Sequence, residues 1–299
     1  MNNIKTKWLE ALGNPSYEIP KEPIKLIKRY EYEDFDLEVY EQKNAPESSQ
    51  RVMIALPKNC GSLCPAVVVP FYFPERMLGF DPETGEIREK DSKFAIMKDL
   101  AKRGYITISA DAYHLTYTQT SYKNETFELW SQAGTSLIHD NPDWSGMGKL
   151  VLDTMLLIDA VASDGRADSS RIGIMGHSLG GKMSFYTGCL DKRVKVIVAS
   201  DFGMRWEQSN WSDVWYWNNK VEELIEAKMD HSELLSIAFP KPFCLIAGEY
   251  DDETSWEIVQ KASGYEVNDE RLKFINHATG HNPPQWALEE AYDFLDKWL

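Results

Sequence analysis

Arg171-Ile172-Gly173-Ile174-Met175-Gly176-His177-Ser178-Leu179-Gly180-Gly181 holds a G-x-S-x-G pentapeptide, from Gly176 to Gly180. Ile172 to Met175 is a short apolar run that reads as a buried strand ending at Gly176. Lys182 to Leu190 reads as the opening of a helix, with small residues at Gly181, Ser184, Thr187 and Gly188. Strand, sharp turn and helix are the context in which such a serine is a nucleophile. The reason is steric. Ser178 must stand at the tip of a strained turn, and side chains at 176 and 180 would collide with neighbouring backbone. The helix N-terminus behind Ser178 offers free N–H groups and a positive dipole end to a developing oxyanion. The competing reading is a glycine-rich turn with an ordinary serine.

Upstream, residues 1–20 suggest a short helix and a polar lead-in closed by Pro15 and Pro20. Leu26–Tyr32, Phe35–Tyr40 and Arg51–Leu56 read as antiparallel strands separated by polar turns at 41–50 and 57–64. Ala66–Tyr72 is a continuous apolar run, expected to be a strand buried on both faces. A charged loop is expected over 73–91, a helix over Ser92–Arg103 and a strand over Tyr105–Ala110. The stretch from Asp111 to about Trp144 reads as a long loop, which must be functional or hold small elements of its own. Downstream, helices are expected at Met147–Ala162, Ser255–Ala262 and after Asn282, and strands at Val194–Ala199, Pro242–Ala247 and Arg271–Ile275. Thr254 and Glu257 stand at capping-box spacing, and Asn282 with Pro283 can open the last helix. Strands and helices alternate from residue 66 onward, which predicts a mostly parallel sheet with helices on both faces. One domain spanning 1–299 is expected, with entry strands in 1–50 and a cap over 203–235, after the strand at 194–199.

The chain has 299 residues and a formal net charge of −15. That charge argues against nucleic acid and anionic membrane surfaces, which call for basic patches. Met1–Leu12 carries Lys5, Lys7 and Glu10 and has no apolar core of a secretory leader, so a reducing cytoplasm is the expected compartment. Cys189 and Cys244 read as buried thiols. Cys60 and Cys64 can bridge or bind metal, but no second Cys or His pair of matching spacing follows, so neither zinc nor any other cofactor is expected.

A serine hydroxyl needs a base, usually an imidazole oriented by a carboxylate. Of the six histidines, His281 is the favoured base. It follows Gly280 between the last strand and last helix, at the carboxyl edge of the sheet. His277 competes from the same loop. Asp251 is the favoured acid, within Gly248-Glu249-Tyr250-Asp251-Asp252. Asp252, Glu249 and, more distantly, Asp201 are alternatives. The order Ser178, Asp251, His281 is that of α/β-hydrolases. For the oxyanion hole, the N–H of Leu179 pairs with one from the loop after the strand at 66–72; Pro70 has no N–H, which leaves Phe71, Tyr72 or Phe73, with Tyr72 favoured. Four of the chain's ten tryptophans, Trp206, Trp211, Trp215 and Trp217, crowd into 203–218. Phe71, His177, Trp206, Trp211 and Trp215 are the expected substrate contacts, although any single tryptophan can instead anchor the cap to the core.

With "ADSSRIGIMGHSLGGKMSF", "CLIAGEYDD" and "ATGHNPPQ" as its most specific parts, the chain resembles the α/β-hydrolase superfamily over about residues 50–299. Within it, the chain is similar to bacterial acetyl xylan esterase-like and dienelactone hydrolase-like proteins. The resemblance implies ester hydrolysis through an acyl-enzyme. Pro70-Phe71 stands where His-Gly is usual, and Ser178 where dienelactone hydrolase proper has cysteine. The expected partner is a small ester, with an acylated carbohydrate or aryl ester in view and self-association left open. The alternatives are a non-catalytic binding protein on the same fold and a small serine peptidase.

Overall fold

The computed structural model describes residues 2–15, 24–88, 92–124, 126–266 and 268–299. The part of the expected lead-in from residue 16 to Pro20 lies outside them. Nine strands form one sheet: β1 (Lys25–Glu31), β2 (Phe35–Ala45), β3 (Ser48–Pro57), β4 (Cys64–Val68), β5 (Ile106–Ala110), β6 (Ala167–His177), β7 (Val194–Ser200), β8 (Phe243–Ala247) and β9 (Leu272–Asn276). The order is β1-β2-β3-β5-β4-β6-β7-β8-β9. β1, β2, β3 and β5 pair antiparallel, and every later pair is parallel. The polar turn expected over 41–50 shrinks to the reversal between Ala45 and Ser48, because both strands run on as a long hairpin.

The helices are α1 (Asn2–Ala11), α2 (Pro74–Leu78), α3 (Ile96–Lys102), α4 (Tyr113–Thr118), α5 (Phe127–Asp140), α6 (Gly146–Ser163), α7 (Leu179–Leu190), α8 (Val214–Trp217), α9 (Val221–Glu226), α10 (His231–Ala238), α11 (Glu253–Gln260) and α12 (Gln285–Trp298). The parallel strands are buried on both faces, and alternate residues feed two cores. Ala66, Val68, Ile172 and Ile174 face the core covered by α1, α5, α6 and α7. Val67, Val69, Met175 and Val198 face the one covered by α2, α3 and α12. α8 to α10 lie between β7 and β8 and form the cap insertion.

Local rules were overridden in four places. The charged loop after β4 contains α2, pinned by Arg51. Its guanidinium donates to both carboxylate oxygens of Glu75 and to Asp111 at 2.7 and 3.0 Å. The 111–144 stretch holds α4 and α5, the latter capped by Thr126. α11 is capped by Asp252, whose carboxylate accepts from Thr254 N and Ser255 N, so the box sits two residues before the expected one. The last helix opens with Pro284 at its cap, not Asn282. Cys60 and Cys64 form a disulfide, and Cys189 and Cys244 are free and buried. Among the described residues no helix is long and apolar enough to cross a membrane.

Candidate active site

β6 ends at His177 and α7 begins at Leu179, so the whole change of direction falls on Ser178. Its φ is 54° and ψ −117°, a conformation that costs a non-glycine residue of order 1–3 kcal/mol. The surroundings hold it there. Ser178 N donates to Ser200 O at 2.7 Å, tying the elbow to the end of β7. A Cβ at 176 would lie 2.2 Å from Gly180 O, and one at 180 would lie 2.0 Å from Pro70 O. Both glycines are therefore close-approach positions. The second brings the Pro70–Phe71 backbone against the first turn of α7.

His281 stands in the loop between β9 and α12. Its Nδ1 lies 2.6 Å from Asp201 Oδ2. Asp201 is the first residue past β7, fully buried, with a positive φ of 43°. Its other oxygen, Oδ1, accepts four backbone N–H groups, from Gly248, Glu249, Tyr250 and Asp251, at 2.8–3.1 Å. Burial pushes the Asp201 carboxyl up, but the bonds from His281 and from this backbone outweigh it and hold it below its ordinary value. A carboxylate so placed fixes the proton of His281 on Nδ1 and leaves Nε2 as the acceptor.

This arrangement corrects the expectation for Asp251. Asp251 is buried, and its carboxylate is taken up by the backbone of the neighbouring loop. Oδ2 accepts from Phe202 N at 2.8 Å and Gly203 N at 3.0 Å, and Oδ1 from Met204 N at 2.7 Å. Asp201, the distant alternative, holds the imidazole instead. His277 is turned away, with Nδ1 against Thr279 Oγ1 at 2.8 Å.

Ser178 and His281 line one cavity of about 720 Å³. Phe71, Tyr72, Arg76 and Phe94 form one side, and Phe127, Ser209, Asn210, Asp213 and Trp215 belong to the cap and the start of α5. Tyr250 and His177 pack on the His281 ring at centroid distances of 4.9 and 4.5 Å. His177 is buried with Nδ1 3.1 Å from Ser200 Oγ. Burial and the neighbouring His281 push its pKa well below the ordinary value, so it stays neutral beneath the His281 ring.

Of the expected substrate contacts, Phe71, His177 and Trp215 line the cavity, and Trp206 and Trp211 do not. Trp206 donates through Nε1 to Met229 O at 2.7 Å, and Trp211 to Gly203 O at 2.7 Å. Both belong to an aromatic cluster with Tyr186 and His231. They are the anchors of the cap. Trp215 reaches the cavity because two helix glycines admit its backbone: a Cβ at Gly146 would lie 1.8 Å from Trp215 O, and one at Gly134 2.9 Å from its Cα. Tyr113 Oη donates to the same carbonyl at 2.9 Å. Sequence reasoning missed Arg76, Phe94, Phe127, Ser209, Asn210, Asp213 and Tyr250. The one available signal was the pair of small residues inside α5 and α6, which marks a close approach.

Comparison with known proteins places the chain among hydrolase families. The model of the prolyl oligopeptidase family matches residues 147–299, and that of the dienelactone hydrolase family matches residues 52–213. Among curated proteins, YtaP of Bacillus subtilis (strain 168) is 25% identical over 215 residues, 67% of each chain. Among solved structures, a glucuronoyl esterase from Solibacter usitatus superposes with a TM-score of 0.73 at 12% identity, covering 99% of this chain and 91% of its own. An acetyl xylan esterase from Paenibacillus sp. R4 gives 0.67 at 16%, covering 100% and 95%. Each family match takes in more than half of the residues, and one joins the Pro70–Phe71 loop to the elbow while the other joins the elbow to His281: the chain belongs to the dienelactone hydrolase and prolyl oligopeptidase families of the α/β-hydrolase fold.

Proposed function

We propose that the protein is a serine-dependent carboxylic ester hydrolase. Ser178 is the nucleophile, His281 the base and Asp201 the carboxylate that orients it. The observation that carries this is the His281–Asp201 bond at 2.6 Å, on the same cavity as a strained elbow serine. Ser178 Oγ attacks the ester carbonyl as its proton passes to His281 Nε2. The resulting imidazolium donates that proton to the departing alcohol, and water then cleaves the acyl-enzyme by the same relay. The Leu179 N–H at the start of α7 is the first oxyanion donor, and Tyr72 N–H is proposed as the second. The close packing of Gly180 on Pro70 supports it. The chain is read as one domain, with 203–235 as its cap.

Flat aromatic faces at Phe127 and Trp215 beside Ser209, Asn210 and Asp213 suit an acylated sugar or an aryl ester. The Cys60–Cys64 bridge favours an oxidising compartment over the reducing cytoplasm expected from the sequence. Release of 4-nitrophenol from the acetate ester tests the activity: wild type turns it over and Ser178→Ala does not. The prolyl oligopeptidase match favours one second reading, a peptidase. Faster turnover of a prolyl 4-nitroanilide than of the ester would replace the esterase reading.

A further inference from the structure

The turn that follows Asp201 is held in an unusual way. All six polar backbone atoms of Phe202, Gly203 and Met204 bond to buried side chains. The three N–H groups go to Asp251. Phe202 O accepts from Lys182 Nζ at 2.7 Å, and Gly203 O from Trp211 Nε1 at 2.7 Å. Met204 O lies 2.8 Å from His231 Nδ1. Asp201 itself is locked at a positive φ between this turn and the β8 loop, whose four N–H groups its Oδ1 gathers.

The two carboxylates are thus reciprocal. Asp201 holds the backbone that carries Asp251, through the Asp251 N–H at 2.9 Å among others, and Asp251 holds the backbone that follows Asp201. Lys182, one turn after Ser178 on α7, is buried, and burial lowers its pKa to about 7, so it serves the turn as a hydrogen-bond donor to Phe202 O. Its Nζ also reaches Ser209 Oγ at 2.9 Å, on the cavity wall. A surface turn needs only water for these groups. Satisfying them with an aspartate, a lysine, a tryptophan and a histidine leaves the turn one conformation.

We propose that Asp251 and Lys182 are positioning residues that act on the reaction through Asp201, by holding the 202–204 turn from its N–H and carbonyl edges. The inference rests on the esterase reading above and adds to it a role for two buried ionisable residues outside the triad. An angstrom of freedom in the Asp201 carboxylate would let the imidazole rotate off the line to Ser178. Misplacement of that size costs about 10²-fold in rate.

The test is a double-mutant cycle on 4-nitrophenyl acetate. Asp251→Asn replaces one acceptor oxygen with a donor facing N–H groups. It should lower kcat by roughly 10- to 100-fold while KM stays within about threefold. In an Asp201→Asn background the same change should lower kcat no further, since the group it positions is already gone. An equal loss in both backgrounds overturns the proposal, because a general structural role is additive. So does a loss from Asp251→Asn larger than that from Asp201→Asn, which would make Asp251 the acid. If Asp251→Asn fails to fold, Trp211→Phe removes a single bond to the turn and should show the same non-additivity with a smaller factor. Additivity there also overturns it. A wild-type protein without Ser178-dependent turnover would instead refute the esterase reading.

Discussion

Asp201→Asn should abolish most turnover without disturbing the fold, and the structure says which way the amide will point. The amide oxygen must take the place of Oδ1, because four backbone N–H groups converge there at 2.8–3.1 Å and a donor would face four donors. The NH₂ group is then forced against His281 Nδ1. It donates where the carboxylate accepted, so the imidazole must carry its proton on Nε2. An Nε2 that already holds a proton cannot take one from Ser178. In hydrolases built on the same triad the corresponding change costs about 10⁴-fold in kcat, or about 5.4 kcal/mol of activation free energy. The backbone bonds survive, so thermal stability at pH 7 should fall far less. The assay is kcat and KM for 4-nitrophenyl acetate with Tm measured in parallel. Asp201→Asn retaining more than a tenth of wild-type kcat, with the fold intact, would refute the reasoning.

Three further outcomes follow from the geometry. Gly180→Ala places a methyl 2.0 Å from Pro70 O, so the first turn of α7 must part from the oxyanion loop; kcat should fall about 10²- to 10³-fold, the loss of one oxyanion donor, and near-wild-type kcat would contradict it. Trp215→Ala should lower kcat/KM for a bulky aryl or sugar ester more than for the acetate, whereas Trp211→Ala should destabilise the fold by about 3–5 kcal/mol; equal substrate losses for both would show that the two rings do the same job. His114 and His231 are held neutral by burial, which pushes their pKa values from 6.5 to about 3 and about 4. Each takes up a proton only on unfolding, so the unfolded chain binds more protons below about pH 6.5 and stability falls as the pH drops towards those values. At pH 5 each contributes about 2 kcal/mol of that loss. Urea unfolding at pH 7 and pH 5 should show a smaller difference for His114→Phe than for wild type, and an unchanged difference would contradict the sign.

Much of the fold was legible because buried parallel strands announce themselves as apolar runs. Ala66–Val69 and Val194–Ala199 need no partner to be recognised. The 111–144 stretch was not legible: its Tyr, Thr and Ser residues carry no clear helical stripe, and α4 and α5 are stabilised by packing against the cap. In the proposed site, Ser178 and His281 each follow a strand at its carboxyl edge, a position that the sequence pattern marks. The acid is not so marked. Asp201 and Asp251 follow adjacent strands, and which one receives the imidazole depends on whose oxygens the backbone has taken. Asp251 spends both on three N–H groups, and Asp201 spends one on four and keeps the other. The tryptophans pose the same problem. Trp206, Trp211 and Trp215 differ in role only through where their N–H groups and backbones find partners.

Everything proposed for the site depends on Ser178 being the nucleophile of an acyl-enzyme. Covalent labelling with a fluorophosphonate, read by peptide mass spectrometry, tests it most directly. The account predicts a single adduct on Ser178, formed in wild type and absent from Ser178→Ala, with labelling slowed in Asp201→Asn. Labelling of another residue, or an adduct that forms at the wild-type rate in Ser178→Ala, would contradict it.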